Sequence, residues 1–247
     1  SINIYKFAFR FNLRRERIMQ YTSIFFDLDR TLWDFETNAL DTFHEMYDKH
    51  YLNTIFSDFN TFNETYRKHN KALWEAYRNG KIKKEILKYK RFQLTLEEFG
   101  IHDEALAKKL GEDYVTISAT KTKLFPDTHS TLDYLQKKYD LFIITNGFHE
   151  VQLKKINNCN LGKYFKKIIT SEKVGVQKPH AEIFHFALEQ AGTIADQSLM
   201  IGDDMEGDIK GAKSVGIDQV FFNPNYKAHS EEVTYEIHAL RELQEIL

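Results

Sequence analysis

The 247-residue chain has one cysteine, three prolines and 11 glycines, and each scarcity excludes something. With Cys159 alone there is no intrachain disulfide, which removes the disulfide-stapled scaffolds and makes the reducing cytoplasm the expected location. No apolar run nears the roughly 20 residues that a bilayer-spanning helix needs, so no integral membrane protein is expected. The net charge of −2 offers no general attraction to nucleic acid. The 10 histidines lack ligand spacing and no G-x-x-x-x-G-K-[ST] loop occurs, so neither a zinc centre nor a P-loop is expected. What remains, 42% hydrophobic and 28% charged residues, is the composition of a folded chain with a sizeable core.

Glycine is not only scarce but skewed. Gly80, Gly100 and Gly111 alone precede Gly147, and the other eight run from Gly147 to Gly216. Tight turns between short elements use glycine, whereas its scarcity over residues 34–121 favours long helices. Apolar spacing agrees, with steps of three and four through Phe35, Ala39, Phe43 and Met46, through Ile82, Ile86, Tyr89, Gln93, Leu96 and Phe99, and through Leu106, Leu110, Tyr114 and Ile117. A helical bundle is expected there. Its aromatic and basic residues, with Trp33, Phe35, Trp74, Tyr77 and Arg78 foremost, suit packing of the bundle better than stacking on a base.

Outside it, apolar runs at 24–26, 141–144, 167–170, 199–201 and 219–222 alternate with helical patterns near 127–138, 149–158, 179–190 and 208–215. That alternation implies an α/β fold with a doubly wound parallel sheet. Pro126 precedes a helix that Asp127 caps, Pro179 suits the first turn of another, and 236–247 reads as a closing helix. Residues 1–18 carry Lys6, Arg10, Arg14, Arg15 and Arg17 against Glu16. They read as an extension outside the fold, with Met19 a natural start, rather than as a nucleic-acid arm or transit peptide.

Ligands bind at the carboxyl ends of strands in such sheets, and the residues following these runs are polar. The first run enters Asp27-Leu28-Asp29-Arg30-Thr31, the second Thr145-Asn146-Gly147, and the fourth Gly202-Asp203-Asp204 with Asp208 beyond; Lys178-Pro179 follows the third. Each piece alone is an ordinary turn, solvated lysine or helix cap. Together, in this order, they suit phosphoryl transfer: clustered carboxylates repel unless a hard cation such as Mg²⁺ sits among them, and Lys178 offsets phosphate charge. Thr145 and the amides of the Asn146-Gly147 turn are candidate donors to phosphoryl oxygens.

This set, Asp27-x-Asp29-x-Thr31, Thr145-Asn146, Lys178-Pro179 and Gly202-Asp203-Asp204-x-x-x-Asp208, resembles the haloacid dehalogenase superfamily from Met19 onward. The resemblance implies a Rossmann-like core over residues 19–34 and 123–247 with an inserted helical cap over 35–122. It implies Asp27 as nucleophile, Asp29 as general acid and base, and Lys178 as the catalytic cation. Thr145, Asn146 and Lys178 would bind phosphate; Mg²⁺ would be held by Asp27, the Asp29 backbone carbonyl and Asp203, with Asp208 behind them. The role of Asp204 stays open. Arg30 stands where many members have glycine.

Dehalogenases lack the second aspartate, so Asp29 points to a small phosphomonoester substrate. The stretches 145–152 and 171–179, with Ile183-Phe184 and Ala187-Leu188, resemble the bacterial pyrimidine 5′-nucleotidases and imply a nucleoside 5′-monophosphate. The rivals are a sugar-phosphate phosphatase or phosphomutase and, in another class, a catalytically silent regulator or nucleic-acid binder. Intact Asp27, Asp29 and Lys178 argue against silence. Oligomeric state is not legible.

Overall fold

The structure, a computed structural model, describes residues 21–247; the basic segment 1–18 and Met19 lie outside the described residues. The chain divides into two compact units, Phe35–Lys123 and the chain on either side of it. Lys123, which the sequence allots to the core, goes with the insertion. The Asn38 side chain clasps its backbone there, with Oδ1 accepting from the Lys123 N–H at 3.0 Å and Nδ2 donating to its carbonyl at 2.8 Å.

The flanking unit is built on strands β1 (Ser23–Phe26), β2 (Asp140–Thr145), β3 (Phe165–Thr170), β4 (Ser198–Gly202), β5 (Asp218–Phe222) and β6 (Tyr235–Ile237). They form one sheet in the order β3-β2-β1-β4-β5-β6 with every pairing parallel. β1 and β4 are buried along their whole length, which is why they read as unbroken apolar runs. β1 pairs with both β2 and β4, so strand order reverses there, and the carboxyl ends of those strands open the crevice that such sheets use for ligands. Phe125 returns to the sheet beside the point of departure, its N–H donating to the Leu32 carbonyl at 2.9 Å.

The insertion comprises α1 (Phe35–Lys49), α2 (Phe59–Arg78), α3 (Lys84–Glu97) and α4 (Glu104–Ser118). Asp58 and Asp103 cap α2 and α4, each accepting a backbone N–H at 2.8 Å. Phe43, Phe62, Tyr66, Phe92, Leu110 and Tyr114 lie in its core. On α3 the buried face is Leu87, Arg91, Phe92, Thr95 and Leu96, whereas Ile86 and Phe99 of the expected stripe are exposed. A charged residue holds an interior position, and spacing alone favours the neighbouring, more apolar face.

The remaining helices are α5 (Thr128–Leu135), α6 (His149–Asn158), α7 (Ser171–Val174), α8 (Ala181–Ala191), α9 (Gly211–Ser214) and α10 (Leu243–Ile246). Three local expectations need correction. Asp127 precedes α5 but takes φ 63° and gives no side-chain cap. Pro179 stands before α8 rather than in its first turn, following a cis peptide bond. Residues 236–247 are not one helix: Tyr235–Ile237 adds an edge strand too short to show alternation, and only α10 and a single 3₁₀ turn follow. Among the described residues no helix is long and apolar enough to cross a membrane.

Candidate active site

Asp27 directly follows β1, its N–H donating to the Ile201 carbonyl of β4 at 2.9 Å, so the sheet fixes where its buried carboxylate stands. Lys178 arrives from the loop after β3 and is almost wholly buried. Its Nζ donates to Asp27 Oδ1 at 2.6 Å, to Asp208 Oδ1 at 2.6 Å and to the Ile144 carbonyl at 2.9 Å, which uses all three ammonium protons. Burial by itself would depress this lysine, but Asp208 and Asp27 outweigh it and hold the ammonium above its ordinary range. Burial pushes the Asp27 carboxyl well up against the opposing pull of Lys178, with Asp208 and Asp203 adding repulsion.

Asp203 follows β4, and among the described residues no hydrogen bond reaches its carboxylate. Burial first, then repulsion from Asp208, pushes it up to about 7, opposed by the cations of Arg30 and Lys227. Asp208 sits in a π-helical turn, Met205–Lys210. Both its oxygens are engaged, Oδ1 by Lys178 and Oδ2 by the Asp204 N–H at 3.1 Å. Gly202 makes this possible, because a Cβ there would collide with the Asp208 carboxylate. Asp204, left open by the sequence, is a helix cap accepting from the Glu206 and Gly207 N–H groups, both at 3.1 Å.

One carboxylate oxygen from each of Asp27, Asp203 and Asp208 lies within 4.8 Å of the others. Hard, mutually repelling oxygen donors, one of them without a protein partner, fit a Mg²⁺ ion. The engaged oxygens of Asp208 favour Asp27 and Asp203 as the direct ligands. The Asp29 carboxylate is not part of this group, and the resemblance assigns the metal role to its backbone carbonyl.

Thr145 ends β2. Its Oγ1 accepts from the Gly147 N–H at 3.1 Å and from Gln152 Nε2 at 2.7 Å, which leaves its own proton for another acceptor. The Gly147 amide, expected as a phosphate donor, is thereby committed. Gly147 has no side chain because a Cβ would strike the Gln152 amide. Asn146 also braces the site: its Oδ1 accepts from the Lys178 N–H at 2.8 Å and its Nδ2 donates to the Lys178 carbonyl at 3.0 Å. Both amide atoms clasp the Lys178 backbone, so the side chain holds that lysine in place with one N–H of its amide left over.

Asp29 is tied to helix α6. Oδ1 accepts from Lys155 Nζ at 2.6 Å and Oδ2 from Gln152 Nε2 at 3.0 Å. Lys155 is buried and lies 3.7 Å from the centroid of the buried Trp33 ring. Trp33 lies in the flanking unit and is buried, whereas Trp74 and Tyr77 are half-buried on α2 with rings 5.7 Å apart. Arg30 takes φ 67°, the left-handed conformation that glycine favours, so the loop keeps its glycine-like turn. Sequence reasoning missed Lys155 and Gln152. Their one signal was two polar residues three apart on the face of α6 that also carries Val151 and Ile156.

Residues 21–216 match the family model of haloacid dehalogenase-like hydrolases. The chain is similar to the HAD-hydrolase YfnB of Bacillus subtilis (strain 168), 32% identical with 92% of this chain and 96% of YfnB covered. A magnesium-bound crystal structure of YfnB superposes with a TM-score of 0.83 at 30% identity, covering 92% of this chain and 98% of that one. Pyrimidine 5′-nucleotidase YjjG of Escherichia coli (strain K12) is 32% identical, with 93% and 99% covered. Ribulose-1,5-bisphosphate 5-phosphatase of Halopiger xanaduensis is 30% identical, with 85% and 88% covered.

Proposed function

We propose that this chain, which belongs to the haloacid dehalogenase-like hydrolase family, is a Mg²⁺-dependent phosphatase that hydrolyses a nucleoside 5′-monophosphate through an aspartyl-phosphate on Asp27. The observation that carries this reading is the second carboxylate, Asp29, linked through one Gln152 amide to the hydroxyl of Thr145. Cleavage of a phosphate ester needs an acid for its leaving oxygen, and a group so placed supplies one.

Asp27 forms the new bond to phosphorus as the ester oxygen departs, and Asp29 gives that oxygen its proton. In the second half Asp29 takes a proton from the water that attacks phosphorus, freeing Asp27 and inorganic phosphate. Thr145 donates to a phosphoryl oxygen, and Lys178 offsets charge on nucleophile and phosphate while Asp208 fixes it. Asp27 and Asp203 would hold Mg²⁺, with the Asp29 carbonyl as a third ligand; the ion supplies charge neutralisation for the phosphoryl group. The likeness to YjjG supports a pyrimidine nucleotide. The likeness to the ribulose bisphosphate phosphatase supports a second reading, a sugar phosphate.

A phosphomonoester panel assayed with Mg²⁺ separates them. Pyrimidine 5′-monophosphates are expected to be turned over best; efficient turnover of sugar phosphates with nucleotides barely touched would overturn the nucleotidase reading. Asp27→Asn is expected to fold and to lose at least about 10⁴-fold in kcat. Substantial activity in that folded variant would remove the covalent mechanism.

A further inference from the structure

Lys155 is a second buried lysine in the flanking unit, and the chemistry assigned to Asp27, Lys178 and the metal group makes no use of it. Lysine is among the residues least often buried, because taking its ammonium out of water costs several kcal/mol unless it is paired in good geometry. Here the pairing is particular: Nζ lies 2.6 Å from Asp29 Oδ1 on one side and 3.7 Å from the Trp33 ring centroid on another. The ring supplies a face that attracts the cation and helps hold it at this place.

The holding element is as informative as the contact. α6 starts at His149, four residues beyond Thr145, and β2 lies beside β1 in the sheet. The helix therefore leaves the phosphate-binding turn and runs along the loop that carries Asp29. Gln152 and Lys155, three residues apart, share one helical face. Gln152 Nε2 reaches Thr145 Oγ1 at 2.7 Å and Asp29 Oδ2 at 3.0 Å, while Lys155 takes the other Asp29 oxygen. One rigid helix thus sets the separation between the hydroxyl that would grip the phosphoryl group and the carboxylate that would serve the leaving oxygen. Asp29 itself sits in a loop beside the left-handed Arg30, and among the described residues Gln152 and Lys155 are the anchors of its side chain.

We propose that Lys155 is a positioning residue for the acid–base step: braced by Trp33, it fixes the orientation of the Asp29 carboxylate toward the leaving oxygen. The role rests on the phosphatase reading above. Misplacement of a catalytic group by about 1 Å can cost about 100-fold, and general acid catalysis contributes at least that much. The loss on removing Lys155 must then follow how badly the leaving group needs a proton.

The test compares single-turnover release of the leaving group from an aryl phosphate, p-nitrophenyl phosphate, with that from an alkyl ester, a nucleoside 5′-monophosphate. Lys155→Met is expected to slow that release about 100-fold on the alkyl ester and less than about 3-fold on the aryl ester, with KM on both nearly unchanged, while hydrolysis of the shared aspartyl-phosphate slows to the same extent whichever ester formed it. Lys155→Arg should recover a large part of the alkyl rate. In an Asp29→Asn background Lys155→Met should add little further loss, because it acts through the group already removed. Lys155→Gln, which keeps a polar donor at the buried position, provides the same comparison if Lys155→Met does not fold. Equal losses of leaving-group release on both esters, or full additivity with Asp29→Asn, would overturn this role while leaving the phosphatase intact. A wild-type protein inactive on every phosphomonoester would instead overturn the phosphatase reading, and this role with it.

Discussion

Each of the two compact units buries a cation, and the two neutralise it by opposite means. In the flanking unit Lys178 has two carboxylates at 2.6 Å and a backbone carbonyl at 2.9 Å, so charge is answered by charge. In the insertion Arg91, equally buried, meets no carboxylate among the described residues. Its guanidinium carbon lies 4.6 Å from the Tyr114 ring centroid and under 6 Å from those of Tyr66 and Phe92, with hydrogen bonds to Asn70 Oδ1 at 3.0 Å and the Lys88 carbonyl at 3.3 Å. The first arrangement concentrates opposite charges in a small volume where a phosphoryl group and a metal ion would rearrange them. The second uses rings and dipoles, which hold a helix pair together and leave nothing poised to react.

The largest effect that divides the two follows from removing the cation of the first. Lys178→Met strands the Asp27 and Asp208 carboxyls in a buried site, and breaking such a pair costs about 3–5 kcal/mol. Because burial, and after it neighbouring carboxylates, already raise both carboxyls, they take up protons as pH falls, so the cost shrinks toward pH 5. Denaturant unfolding of wild type and variant at pH 5 and pH 8 measures it. A small, pH-independent loss would mean that the three groups are not coupled.

A metal ion tests the same region from the other side. Asp203, raised to about 7, binds its proton more tightly folded than unfolded. Between its unfolded value near 4 and about 7 the folded state therefore carries more protons, and stability of the metal-free protein falls as pH rises through that window. Mg²⁺ replaces the protons. At about 100 times its dissociation constant the ion adds about 2.7 kcal/mol, which corresponds to a Tm rise of roughly 5–10 °C for a chain of this size. The rise is expected to be larger at pH 8 than at pH 5. Thermal unfolding in EDTA and in Mg²⁺ at the two values decides it, and equal shifts at both would place the ion away from Asp203.

The two regions also differ in how openly the sequence displays them. Asp27, Asp29, Thr145, Lys178, Asp203 and Asp208 are legible because each follows an apolar run, and a sheet of parallel strands brings run ends to one edge whatever lies between. The contacts that orient these residues are not legible. Asn146 reads as a phosphate donor, and nothing local announces that its amide also clasps the Lys178 backbone, 32 residues away. Lys155 goes unmarked in the sequence, since nothing local announces a carboxylate 126 positions earlier. The same limit operates in the insertion. The period of α3 is visible but not its phase, because Arg91 and Thr95 occupy interior positions that an apolar count assigns to solvent, and Thr95 satisfies its hydroxyl internally by donating to the Arg91 carbonyl at 2.7 Å.

The smallest effect belongs to Arg91 and would sharpen the contrast most, because it separates a buried charge that is packed from one that is paired. Arg91→Met keeps an unbranched side chain among Tyr66, Phe92 and Tyr114 and strands no opposite charge. It gives up the ring contacts and the hydrogen bond to Asn70, about 1–2 kcal/mol together, and returns part of that by removing the desolvated guanidinium. The loss is expected to be independent of pH between 5 and 8, unlike that of Lys178→Met. Hydrogen exchange should report reduced protection within Phe35–Lys123 and none in the sheet, with Mg²⁺ stabilisation unchanged. A loss above about 3 kcal/mol, or one that varied with pH as the Lys178 variant does, would mean that Arg91 too answers an ionised group, and the distinction between the two units would fall.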